Sequence, residues 1–362
     1  MKDRKILYFI VLSIFLLSMM ALLASAETGV STRAKSSALY NPDTKSFLYS
    51  NNANEHLPMA STTKIVTALI AIESLDLDET VKVPKEAIGI EGSSLYLKVG
   101  DELKVRDLIY SVLLQSANDA ATALAIRISG NIEDFAALMT ERVRKIGAEN
   151  TEFQNPHGLD SKYHYTTAHD LSLIAADALK NTTFKKISST YKYTFKIGDE
   201  IRTVVNHNKL IRMYPDCIGV KTGFTKKSGR CLVSAAERNG ITLVAVTLDD
   251  PDDWKDHKSM LDYGFDNLES IDITQLTHLP KNLPTVSDDG ISVPIIPKTD
   301  KVVKRKDESI SYYVDLPNYI THNVNSGDKI GKIIIKTEDR EETIDIVANS
   351  DIKIRKTQRR FL

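Results

Sequence analysis

Three observations predict a mixed α/β chain of the α+β kind. Strand-like runs stand at both ends of the first 270 residues, a long helical stretch lies between them, and a Pro-rich change of texture begins after Ile271. Strands flanking a helical middle pack as one antiparallel sheet with a helical cluster against it, and the later texture reads as a small all-β domain. Element by element, Ser36–Tyr40 and Ser46–Ser50 are short strands joined by the turn Asn41-Pro42-Asp43-Thr44, which makes a hairpin. Residues 62 to 75 read as a helix, and helical periodicity returns at 105–128, 132–147 and 167–180. Strands resume at about 191–204, 216–225, 230–238 and 241–248, and a helix comes next near 252–268. Beyond it, Pro280, Pro284, Pro294 and Pro297 interrupt short β-branched runs at Ser309–Tyr313, Lys329–Lys336 and Glu342–Val347.

These patterns divide the chain into a signal peptide at 1–26, a larger first domain at 27–270, a β-rich domain at 271–350 and a basic tail at 351–362. Two domains suit 362 residues with 42% apolar and 26% charged composition. In the leader, Lys2, Arg4 and Lys5 precede an almost uncharged stretch from Ile6 to Leu23, and Ala24-Ser25-Ala26 matches a small-x-small cleavage site. An uncleaved membrane anchor is the alternative reading of that run. Loss of the leader removes three cations and one acid and moves the formal charge from −1 to −3, which disfavours nucleic acid as a partner. The mature chain is expected outside the cytoplasmic membrane, at its outer face or in the wall space, and as a monomer. At the other end, the cations Lys353, Arg355, Lys356, Arg359 and Arg360 offer a contact for an anionic membrane surface, with a frayed soluble tail as the equal alternative.

Cys217 and Cys231 are the two cysteines, and they flank one strand and its hairpin partner. With the turn centred near Lys226 and Lys227, Cys231 faces roughly Thr222 and not Cys217, so free thiols are expected. None of the eight histidines forms H-E-x-x-H, and no metal or other cofactor is expected. His164 and His169 read as loop chemistry.

The chemistry is concentrated in three short motifs. Ser61 and Lys64 stand three residues apart in Met59-Ala60-Ser61-Thr62-Thr63-Lys64, just before an apolar-periodic run, so a hydroxyl and an amine share one helical face. A neutral amine there can take the hydroxyl proton and make a nucleophile. Ser116-Ala117-Asn118 lies where a loop meets a helix, and Lys221-Thr222-Gly223 lies on a strand before the turn Lys226 to Gly229. Together and in this order they resemble the active-site set of penicillin-binding proteins and class A β-lactamases.

Asn155-Pro156-His157-Gly158-Leu159-Asp160, Thr166-Thr167-Ala168-His169-Asp170-Leu171 and Asn206-His207-Asn208-Lys209-Leu210 narrow the resemblance to the low-molecular-mass, serine-type D-alanyl-D-alanine carboxypeptidases, over roughly residues 33 to 268. Asp249-Asp250-Pro251-Asp252-Asp253-Trp254 is similar to a segment of their spore-former branch. The resemblance implies the penicillin-binding-protein/β-lactamase-like fold, the stem pentapeptide of peptidoglycan as substrate and β-lactams as inhibitors. It implies Ser61 as acyl-ester nucleophile, Lys64 as general base and Ser116 as proton relay, with Asn118, Lys221, Thr222, Gly223 and Phe224 binding substrate and the backbone N–H groups of Ser61 and Phe224 forming the oxyanion hole. Lys64 needs burial and a second cation to be neutral, and Lys221 is that cation. Gly223 is expected to clear the path of a substrate lying along the strand. The family's carboxylate-binding Arg has no clear match: Arg230 reads as a solvated turn residue. His157 reads as a loop residue shaping the rim.

Two alternatives stay open. A β-lactamase needs a carboxylate to activate the deacylating water; Glu152 lies in the right region but one residue out of pattern. A catalytically silent wall-binding protein of the same fold would have no need of Ser61, Lys64 and Lys221, all of which are present.

Overall fold

The computed structural model describes residues 29–286 and 290–354. The leader at 1–26 and most of the cationic tail lie outside the described residues. Strands β1 (Ser36–Asn41) and β2 (Ser46–Asn51) form the first hairpin, whose turn is closed by Asn41 Oδ1 accepting from the Thr44 N–H and hydroxyl. A 3-10 turn at Ala60–Thr63 leads into helix α1 (Lys64–Ser74). The short strands β3 (Thr80–Lys82) and β4 (Glu102–Lys104) pair with each other.

The helix expected across 105–128 is broken in the middle. Helix α2 (Val105–Tyr110) runs into a π turn at Ser111–Gln115, Ser116 adopts a left-handed conformation with φ 66°, and α3 (Asn118–Ser129) starts afresh. Local periodicity continues through this stretch, but the wider π turn re-aims the chain, as such turns commonly do at functional sites. Helices α4 (Ile132–Arg144), α5 (Ala168–Lys180) and α6 (Thr182–Ser188) complete the helical cluster, capped by the side chains of Asn131, Thr167 and Asn181.

The predicted strand region 191–204 is a hairpin, β5 (Lys192–Ile197) and β6 (Glu200–Val205), that forms its own two-stranded sheet. It is held away from the main sheet because Tyr193 stacks on Tyr110 of α2 at 3.7 Å and donates its hydroxyl to Asp107 Oδ1 at 2.7 Å. A short helix α7 (Leu210–Met213) then leads to β7 (Cys217–Thr225), β8 (Gly229–Arg238) and β9 (Ile241–Leu248). The main sheet is antiparallel in the order β2-β1-β9-β8-β7, so β7 is an edge strand.

Alternation along these strands supplies two apolar faces. Val244, Val246 and Val233 belong to the core shared with the helical cluster. Leu243, Ala245 and Leu232 pack on the opposite face with Met260, Leu261 and Phe265 of α8 (Asp253–Asn267). This part of the chain therefore has three layers, with α8 covering the second face of the sheet.

The Pro-rich stretch that begins after Ile271 carries regular structure. Strand β10 (Leu268–Asp272) continues directly from α8, α9 (Ile273–Thr277) is capped by Asp272, and β11 (Asn282–Pro284) starts a second five-stranded sheet with β12 (Ser292–Pro297). Strand β13 (Lys301–Arg305) returns to pair with β10 and places Val303 in the core under α8. Strands β14 (Ser311–Asp315), β15 (Lys329–Lys336) and β16 (Glu341–Ala348) complete the order β11-β12-β16-β15-β14 around Ile295, Ile333, Ile335, Ile344 and Ile346. Among the described residues no helix is long and apolar enough to cross a membrane.

Candidate active site

The turn that carries Ser61 is shaped by its own threonines. Thr62 Oγ1 donates to Met59 O at 2.6 Å and Thr63 Oγ1 to Ala60 O at 2.8 Å, which holds Ala60 at φ 46° and projects Ser61 from the turn. Lys64 opens α1 one turn later and is fully buried. Its Nζ lies 3.0 Å from Ser61 Oγ, 2.6 Å from Asn118 Oδ1 and 2.5 Å from the His157 carbonyl. Burial pushes the Lys64 pKa well below the ordinary lysine value, the charge of Lys221 lowers it further, and Asp119 opposes both. A neutral amine 3.0 Å from a serine hydroxyl can accept its proton.

Ser116 and Asn118 arrive on the re-aimed chain between the π turn and α3. Asn118 is fixed by two partners of opposite kind: Oδ1 accepts from Lys64, and Nδ2 donates to Glu91 O at 2.5 Å. The neighbouring Asp119 carboxylate accepts from Ser94 Oγ and the Leu95 and Leu97 N–H groups, which pins the segment that supplies Glu91 O. Ser116 Oγ is buried and has no hydrogen-bond partner among the described residues. Leaving such a group unpaired costs about 1–3 kcal/mol, which a transient partner in the cleft would recover.

From the other side comes the edge strand β7. Lys221 is 1% exposed, burial lowers its pKa to about 7, and its Nζ donates to Thr222 O at 2.8 Å. Thr222, Gly223 and Phe224 line a cleft of about 480 Å³ with Ser61, Ser93, Ser116 and His207. Gly223 also lies close to a neighbour within the chain. A β-carbon there would stand 3.0 Å from Ser61 N, 3.1 Å from Ala60 Cβ and 3.1 Å from Met59 O, so the strand lies against the Ser61 turn itself. The structure thus brings Ser61, Ser116, Thr222, Gly223 and Phe224 to the wall of one cleft, with Lys64 and Asn118 buried behind Ser61 and Lys221 buried behind Thr222.

A family model described as D-alanyl-D-alanine carboxypeptidase matches residues 23–252. The chain belongs to the D-alanyl-D-alanine carboxypeptidase family. It is 36% identical over 219 residues to the D-alanyl-D-alanine carboxypeptidase DacF of Bacillus subtilis, a match covering 59% of this chain and 56% of the relative. Against the D-alanyl-D-alanine carboxypeptidase of Streptomyces sp. strain K15 it is 33% identical over 263 residues, covering 67% of this chain and 90% of the relative. The chain thus matches little more than half the length of the first relative and most of the second. The fold is shared with the crystal structure of penicillin binding protein 5 from Haemophilus influenzae, at a TM-score of 0.67 and 24% identity over 89% of this chain and 98% of that one.

In this member of the carboxypeptidase family, several cleft residues carry no plain mark in the sequence. Arg230 is solvent-exposed, as expected, but it stands on β8 and not in the turn: it pairs in register with Phe224, lines the cleft, donates to Asp253 Oδ1 at 2.5 Å and lies 5.6 Å over the Trp254 ring. Counting back from the β7–β8 turn would have found it. His157 is buried and not at the rim: its carbonyl accepts from Lys64, and burial together with the Lys64 charge holds its pKa down at about 3. That contact is made by backbone, so residue type gave no signal. Gly158, at φ 91°, presses on the same turn, and a β-carbon added to it would lie only 1.9 Å from Ala60 O. Glu152, weighed as a β-lactamase base, forms a backbone bridge with Tyr165 and an ion pair with Arg144. Cys217 and Cys231 are free, with Cys231 opposite Gly223, one residue from the expected register, because the turn spans Lys226 to Ser228.

Proposed function

We propose that this protein is a serine-type D-alanyl-D-alanine carboxypeptidase that removes the terminal D-alanine from peptidoglycan stem pentapeptides and is acylated by penicillin. The observation that carries the reading is the fully buried Lys64 amine 3.0 Å from Ser61 Oγ. Ser61 Oγ adds to the carbonyl between the two D-alanines as its proton passes to Lys64 Nζ. The C–N bond then breaks, the leaving amine takes a proton through Ser116, and D-alanine departs. Water attacks the resulting ester, Lys64 again receives the proton, and Ser61 is restored. Asn118 Oδ1 orients Lys64, and its Nδ2, with one hydrogen on Glu91 O, has a second to offer the substrate's amide. The N–H groups of Ser61 and Phe224 receive the oxyanion, a role supported by the close approach of Gly223 to Ser61 N. Thr222, Lys221 and Arg230 meet the substrate's C-terminal carboxylate.

In the same reading the mature chain acts as a monomer outside the cytoplasmic membrane, with catalysis in residues 27–270, the β-rich part as a spacer toward the wall and the terminal cations as a contact for anionic lipid. A function at sporulation is supported by the Asp249–Trp254 segment alone. Incubation of the purified protein with a pentapeptide ending in D-alanyl-D-alanine tests the activity: free D-alanine with tetrapeptide is the expected product pair. Transfer to an added amine would make it a transpeptidase, and an unchanged substrate would sink the enzymatic reading.

A further inference from the structure

His164 sits outside the cleft, 4% exposed, yet it connects to the nucleophile turn. Its Nδ1 accepts from the Gln154 N–H at 3.0 Å, so the ring proton is on Nε2, which donates to Thr63 Oγ1 at 2.7 Å. The Thr63 hydroxyl in turn donates to Ala60 O at 2.8 Å. This chain of hydrogen bonds ends on the residue at φ 46° that sets the direction of Ser61. Phe153 packs edge-on to the ring at 5.7 Å and fixes its plane.

Gln154 matters because of the segment it opens. Residues 154 to 158 lie beneath the site: Pro156 O accepts from Thr67 Oγ1 at 2.6 Å, His157 O accepts from Lys64 at 2.5 Å, and Gly158 abuts Ala60 O. One imidazole therefore ties the start of the segment that holds the base to the turn that holds the nucleophile. Burial and the nearby Lys64 keep its pKa down at about 4, so the ring is neutral and the donor–acceptor pattern is kept.

We propose that His164 is a positioning residue that sets the Ser61–Lys64 geometry through Thr63 and the Gln154 segment, without touching substrate. The proposal rests on the reading of Ser61 as nucleophile. Loss of the link lets the Ser61 turn relax away from Lys64, which slows acylation and leaves the cleft's affinity for ligand intact.

Stopped-flow acylation of the full chain by a fluorescent penicillin separates the noncovalent dissociation constant from the acylation rate constant. In His164→Leu the rate constant should fall about tenfold or more, because small misplacements are costly, while the dissociation constant stays within about twofold. His164→Gln, which can place an amide N–H where Nε2–H stood, should recover most of the rate. Thr63→Val removes only the hydroxyl and should reproduce the loss, and the double variant His164→Leu/Thr63→Val should be no slower than either single one. Wild-type acylation in folded Thr63→Val or His164→Leu, a loss in affinity instead of rate, or no recovery in His164→Gln would each overturn the proposal. If His164→Leu does not fold, Thr63→Val decides alone. A wild-type protein that penicillin acylates elsewhere than Ser61, or not at all, would overturn both this proposal and the assignment beneath it.

Discussion

Gly223 approaches Ser61 so closely that an added β-carbon would lie 3.0 Å from the Ser61 backbone nitrogen. The other neighbours, Met59 O at 3.1 Å and Ala60 Cβ at 3.1 Å, also belong to the nucleophile turn and not to a flexible side-chain tip. Gly223→Ala should therefore displace the turn itself. A fall of about 100-fold in penicillin acylation is expected, on the scale of a displaced reacting group. The check is labelling rate with thermal melting alongside, and unchanged labelling in a folded variant would contradict the argument.

Lys64→Arg should abolish acylation although it keeps a cation at the position. A guanidinium does not give up its proton at usable pH, and the 2.5–3.0 Å contacts to His157 O, Asn118 Oδ1 and Ser61 Oγ leave no room for its larger plane. Intact-mass measurement after incubation with penicillin reads the result directly, and acylation near the wild-type level would remove Lys64 as the base.

The pH dependence should be bell-shaped in kcat/KM. Activity requires neutral Lys64, whose pKa is pushed well below the ordinary value, so the acid limb falls as pH drops through that lowered pKa. Lys221 is wanted as a cation for the carboxylate, and burial sets its pKa at about 7, so the alkaline limb begins there. Lys221→Arg should move the alkaline limb upward by more than a unit while leaving the acid limb in place. For stability the sign is opposite to that of a lysine gaining a partner. Both depressed amines make the unfolded chain bind more protons between the folded pKa and the ordinary lysine value of 10.5, so their cost to folding is full at low pH and fades as pH rises through that window.

Arg230 should contribute to recognition of a substrate carboxylate. Arg230→Gln is expected to raise KM about tenfold or more for a peptide with a free C-terminus, the scale of a hydrogen bond to a charged group. The same peptide with an amidated C-terminus should be insensitive to the change. Equal effects on both peptides would assign Arg230 to holding Asp253 and Trp254 only.

A chain ended after Asn267 tests the division of labour between the two sheets. Candidate catalytic residues all precede Phe224, so a folded truncation should still be acylated by penicillin. Its melting temperature should drop, because β10 and Val303 of β13 no longer cover Met260, Leu261 and Phe265. A truncation with native circular dichroism and no acylation would show that the β-rich part is needed for the site.

Sequence alone carried the elements whose causes are local. Alternating and helical periodicities located the strands of the main sheet and most helices, since these patterns record which side of each element is buried. Ser61 and Lys64 were legible because three residues of helix bring them together wherever the helix lies. The features that stayed hidden depend on partners far away in the chain. The turn at Ser116 interrupts a continuous periodic pattern, and α8 covers a sheet face whose neighbour the pattern could not name. Arg230 joined the cleft by strand register, and His157 and Glu91 joined it through carbonyls, which every residue type possesses.

Residue order was enough to pair Ser61 with Lys64 and to mark the three motifs and the kind of fold that carries them. The lowered pKa of Lys64 was decided only by folding, because it comes from desolvation by segments near residues 91, 118, 157 and 221 that meet only in the folded chain.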